Sequence, residues 1–207
     1  MSAAAVAPAL SASLPLMSMA QATPLRASAA EPPAEAATDA QPVVTRTREA
    51  SPDQVVDLSP GWEQRRGATA LALISYPWQQ LGYTVVFTGG RAGLLGGTVP
   101  EQRLILVFVR PDEDLNLLTH TIAHELGHAI DKTYNDDGRR QAWLAARGLP
   151  STTSWFTCDY CPDFTTGSGD FAEAFAASQA GPEYYKGQLA PPPTASQLSG
   201  LERFFYP

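Results

Sequence analysis

The run Leu117-Leu118-Thr119-His120-Thr121-Ile122-Ala123-His124-Glu125-Leu126-Gly127-His128-Ala129-Ile130-Asp131 decides the fold, because it carries two patterns at once. Ile122, Leu126 and Ile130 recur at i, i+4 and i+8, the stripe by which a helix joins a core. His124 and His128 occupy another face, about 40° apart and one turn along the axis, so their imidazoles can bite one metal ion. Glu125 lies about 100° from His124 and about 60° from His128, on the same side. Its carboxylate can therefore reach a water on the metal without being a ligand. All three histidines of the chain fall between positions 120 and 128, which scattered surface polars would not do. His120, one turn before His124, is within reach of the same ion, although its place near the helix start suits a packing or solvent role. Gly127 costs a helix about 1 kcal/mol relative to alanine, and close approach of another backbone would account for it.

Working outward, Asp112, Glu113 and Asp114 form an acidic start to this helix, which runs to about Lys132 and breaks at Asn135-Asp136-Asp137-Gly138. Leu104 to Val109 reads as a buried strand and Tyr83 to Phe87 as another. The glycine-rich stretch from Gly89 to Gly97 between them lacks the endings of a phosphate loop and reads as a flexible hairpin connection. Trp62 to Leu81 has mostly helical apolar spacing, ended or kinked by Pro77. After the central helix come a short helix from Arg139 to Arg147, a polar loop from Ser151 to Gly169, a third helix from Asp170 to Ala180, and a last amphipathic stretch from Ser196 to Phe205. These elements predict a small α+β domain over 61–207.

The preceding residues are of another kind. Met1 to Ala22 is small and apolar, and Ala20-Gln21-Ala22 offers a cleavage site, so 1–22 reads as an export signal, although one without a basic start. Residues 23–60 are rich in Ala and Pro and too poor in large apolar residues to offset the entropy of folding; they read as a linker or pro-segment. No later run approaches the roughly 18 apolar residues that span a bilayer. The net charge of −7, from 14 basic and 21 acidic residues, disfavours nucleic acid as a partner. Two cysteines, Cys158 and Cys161, cannot build an all-thiolate zinc site; in an exported chain they suit a local disulfide, and otherwise stay thiols. Nothing in the sequence sets an oligomeric state.

A catalytic zinc takes three protein ligands and keeps one position open. On the helix Gly169-Asp170-Phe171-Ala172-Glu173-Ala174-Phe175-Ala176, the residue opposite Phe171 and Phe175 is Glu173, flanked by alanines that let two helices pack closely. It is the best candidate for the third ligand. Asp170 falls on the same side, where it would either hydrogen-bond a ligand histidine or cap the helix. Asp131 is placed to orient an imidazole or to pair with Lys132 or Arg139, with a solvated role as the alternative.

His-Glu-x-x-His is the signature of zinc metallopeptidases, the zincins. The metzincin continuation is absent, since Asp131 and Tyr134 stand where Gly and His belong. His124 to Asp131 followed by Asp170 to Ala176 resembles instead the gluzincins of the lethal-factor-like group, over roughly Leu104 to Ala180. The resemblance implies His124, His128 and Glu173 as zinc ligands, Glu125 as general base, and a sheet edge that takes an extended peptide by strand addition. The family's transition-state tyrosine lies about two helical turns before the third ligand, where this chain has Thr165-Thr166-Gly167. Tyr160 upstream and Tyr184 and Tyr185 downstream are the available substitutes. Gly167-Ser168-Gly169-Asp170 is also similar to the G-T-x-D of aspzincins, which would make Asp170 the ligand, but the following Tyr-Gly is missing.

The expectation is thus a secreted endopeptidase with one catalytic Zn2+ and a peptide or protein substrate. The alternative is a metal-binding or protein-binding module that keeps the fold without turnover.

Overall fold

The computed structural model describes residues 58–157 and 162–207. The expected signal at 1–22, nearly all of the 23–60 segment, Tyr160 and the Cys158–Cys161 pair lie outside them.

The architecture is α+β. Helix α1 spans Trp62–Leu71, followed by a 3-10 turn at Trp78–Leu81. Strands β1 (Thr84–Gly89), β2 (Gly96–Val99) and β3 (Leu104–Val109) form one sheet in the order β1-β3-β2. Helix α2 covers Leu115–Tyr134, α3 Asp137–Ala146, α4 Gly167–Ala180 and α5 Ala195–Leu201. β1 runs parallel to β3, pairing Thr84 with Leu104, and β2 runs antiparallel to it, pairing Gly96 with Val107.

The helix expected over 62–81 stops at Leu71. Pro77 disfavours helical geometry at Tyr76, and the freed N–H groups of Ser75 and Tyr76 donate to Gln179 Oε1 of α4, each at 3.1 Å. The glycine-rich connection is also more than a loop, because its last residues form β2. This strand was invisible to pattern reading: Gly96 and Gly97 give it no alternation of apolar and polar residues. Its turn into β3 closes through Arg103, whose φ of 50° is left-handed.

β3 sits in the middle of the sheet and alternates as a half-covered strand should. Ile105, Val107 and Val109 are fully buried and join Leu118, Ile122, Leu126 and Ile130 of α2 in one core. α1 approaches β1 so closely that a Cβ on Gly67 would strike the Phe87 ring at 2.2 Å. Within the acidic start of α2, Asp114 is the cap: its carboxylate accepts from Asn116 N at 2.7 Å and Leu117 N at 3.2 Å.

Two sets of contacts hold α4 in place, and the second is against α2. The Phe171 and Phe175 rings enter the core with Trp143 and Phe205. On the other side, a Cβ on Gly127 would lie 2.7 Å from Ala172 Cα. The glycine in the central motif is therefore a packing residue that lets the two backbones touch. This close approach brings α4 side chains to the histidines.

Candidate metal centre

α2 turns His124, Glu125 and His128 to the side away from its core stripe, as the spacing requires. The two Nε2 atoms of His124 and His128 lie 3.1 Å apart. The third group beside them is Asp163, from the irregular segment before α4. Its Oδ2 is 2.8 Å from His128 Nε2 and 3.4 Å from His124 Nε2. Asp163 Oδ2 is buried yet makes no hydrogen bond of ordinary geometry, close as both rings are. The three atoms lie within 3.4 Å of one another. Their triangle has a corner-to-centre distance of about 1.8 Å, within the ~2.0–2.2 Å reach of zinc bonds to histidine and carboxylate. His124, His128 and Asp163 can hold one metal ion.

Glu173 stands one layer further back. Its Oε1 accepts from His124 Nδ1 at 2.8 Å, and its Oε2 accepts from the Lys186 backbone N–H at 2.5 Å. It approaches the far nitrogen of the ring, and both its oxygens are occupied. Glu173, expected as the third ligand, thus lies beside His124 on the ring edge away from Asp163, and the group that gathers with the two Nε2 atoms is Asp163. His128 is fixed in the same way, with Nδ1 3.2 Å from Ser168 Oγ. When both Nδ1–H groups donate, both Nε2 lone pairs are free for a metal, the usual arrangement of ligand histidines. His120 is buried; its Nε2 lies 3.4 Å from Glu173 Oε1. Of the packing and solvent roles expected for it, the buried one is observed, in this outer layer beside Glu173.

Charge follows the same layout. Burial alone would lower the His124 pKa, but the carboxylates of Asp163 and Glu173 together outweigh it and hold it up at about 10. Burial would raise Glu173, and the two imidazoles with the Lys186 N–H bring it down to about 2. Asp163 is likewise held well below the usual carboxylate range by the two rings, against the effect of burial.

Glu125 is tethered to the sheet. Its Oε2 lies 2.8 Å from Thr98 Oγ1 of β2, and a Cβ on Gly96 would meet its Cγ and Oε1 at 2.8 Å. β2 is an edge strand; among the described residues no strand pairs with its other side.

Three other expectations change. Asp170 neither caps α4 nor touches a ligand histidine. Thr166 is the cap, accepting from Gly169 N at 3.1 Å. Asp170 is fully buried, gripped by Arg147 through two bonds of 2.9 Å and by Trp143 Nε1 at 3.0 Å. It faces α3, so it does not serve as an aspzincin-type ligand here. Asp131 is also fully buried, bound by Arg140 Nε at 3.2 Å and Trp155 Nε1 at 3.0 Å, and pairs with neither Lys132 nor Arg139. Of the tyrosines, the Tyr185 hydroxyl is engaged by Asp170, Arg147 and the Ala190 carbonyl. Tyr184 packs near His120, 6.4 Å between ring centroids. Neither is placed as a donor at the histidine–aspartate triangle.

Asp163 escaped the sequence reading because it lies in no regular element. The available signal was Gly169, where a Cβ would lie 2.1 Å from the Asp163 carbonyl oxygen. That glycine lets the segment fold back on the start of α4. No protein-family model, curated protein or solved structure matches the chain.

Proposed function

We propose that the protein is a zinc-dependent endopeptidase of the zincin type, with His124, His128 and Asp163 as ligands and Glu125 as general base. Two neutral imidazoles and one carboxylate are a donor set that suits zinc. Zinc bound there supplies the positive charge that polarises a scissile carbonyl and eases deprotonation of a water. Glu125 accepts that proton and returns it to the leaving amine. Glu173 and Ser168 keep the two imidazoles in the tautomer that offers Nε2. The free edge of β2 offers main-chain donors and acceptors to an extended peptide.

One observation carries the proposal: Glu125 follows a ligand histidine directly and is held from the other side by the edge strand. A module that only bound metal would have no use for a carboxylate so fixed. The ligand set departs from the gluzincin pattern in using an aspartate from a loop. Export is proposed from residues 1–22 alone.

The test is Glu125→Gln. The variant should retain one zinc per chain and lose cleavage of a mixed peptide library by about a thousandfold or more. A wild type that binds zinc but cleaves nothing across that library would instead support the non-catalytic module.

A further inference from the structure

We infer that Thr98 is a positioning residue for Glu125, linking the peptide-binding edge of the sheet to the proton acceptor; this rests on the peptidase reading above. Thr98 Oγ1 lies 2.9 Å from the Glu125 carbonyl oxygen and 2.8 Å from Glu125 Oε2. A hydroxyl has one proton to give. The carbonyl already accepts within the α2 ladder, whereas the carboxylate is a charged acceptor and the stronger one. The proton therefore goes to Oε2.

That bond anchors Oε2, while Oε1 makes no hydrogen bond among the described residues. Gly96 completes the arrangement, because a side chain there would collide with Oε1 and Cγ at 2.8 Å. Two residues apart on β2, Gly96 and Thr98 face the same side of the strand. One makes room for the carboxylate and the other grips it. The same four-residue strand offers its outer edge to substrate, so a peptide paired with β2 is in register with the carboxylate that Thr98 fixes.

Thr98→Val keeps the branched shape and removes the donor; Thr98→Ser keeps the donor. Cleavage of a peptide found with the wild type should show kcat about tenfold or more lower in T98V, KM within about twofold, and T98S within about threefold of wild type. A readout without turnover is acetohydroxamic acid titrated into the cobalt-loaded proteins and followed by their d–d bands. Hydroxamic acid gives a proton to the base on binding, so T98V should bind it about fivefold or more weakly and T98S as well as wild type. Equal hydroxamate affinity and kcat in T98V and wild type would overturn the role of Thr98 while leaving the peptidase reading standing. A cobalt-loaded wild type that neither cleaves nor binds hydroxamate would overturn both.

Discussion

Glu173 Oε1 accepts a hydrogen bond from His124 Nδ1 at 2.8 Å, on the ring edge opposite the nitrogen that faces Asp163. This one contact separates two roles that carboxylates near a histidine pair can take. Asp163 shares a point with both Nε2 atoms; Glu173 fixes which nitrogen of His124 carries the proton.

The two carboxylates should therefore fail differently. Asp163→Asn should remove most metal binding at any practical zinc concentration. Glu173→Gln should still bind one zinc per chain when saturated, with affinity about 10–100-fold weaker. Equilibrium dialysis against buffered zinc separates the two outcomes.

Gly127→Ala tests the α2–α4 contact. Alanine is the better helix former by about 1 kcal/mol, so an exposed site would gain stability. Here the new Cβ meets Ala172 Cα at 2.7 Å, backbone that cannot rotate away. The expected result is a net loss of about 1–3 kcal/mol in urea unfolding, together with weaker metal binding as α4 moves off.

Arg147→Ala should be among the costliest changes away from the metal centre. It strips the fully buried Asp170 of its bidentate partner. An uncompensated buried charge costs about 3–5 kcal/mol. Denaturant unfolding checks this, and Arg147→Ala/Asp170→Asn should recover part of the loss because the stranded charge is gone.

The metal-free protein should have a narrow pH optimum of stability. Glu173 titrates at about 2 in the fold, below its ordinary 4.5, so its contribution is present above pH 4.5 and lost as pH falls toward 2. His124 titrates at about 10, above its ordinary 6.5, so its contribution is full below pH 6.5 and lost as pH rises through 10. Both are complete only between those ordinary values. With EDTA present, Tm should be higher at pH 5.5 than at pH 8.5. Zinc, which needs unprotonated rings, should raise Tm more at pH 8.5. A flat profile without metal would contradict the charge layout.

Local pattern made much of this fold legible. The apolar stripe of α2, its acidic start, the apolar run of β3 and the face of α4 that meets α2 all follow from periodicity and short-range chemistry. Gly127, costly inside a helix, signals a close approach by its identity alone. What escaped depends on contacts distant in sequence. β2 is a strand because β3 pairs with it, not because Gly96 and Gly97 favour one. Asp131 and Asp170 are buried because Arg140 of α3 and Arg147 at its C-terminal cap, with two tryptophans, fold over them. Asp163 reaches the histidines from 35 residues beyond His128, carried by an irregular segment that no periodicity describes. Glu173 faced α2 as expected, but the direction of a helix face does not say which edge of an imidazole it meets.

The proposed chemistry rests on which three side chains form the triangle. Crystals of the zinc-loaded protein, measured at the zinc absorption edge, locate the ion directly by anomalous scattering. One peak is expected, bonded to His124 Nε2, His128 Nε2 and an Asp163 carboxylate oxygen, with Glu173 hydrogen-bonded to His124 Nδ1 and off the metal. A peak bonded to Glu173 with Asp163 turned away would contradict this assignment.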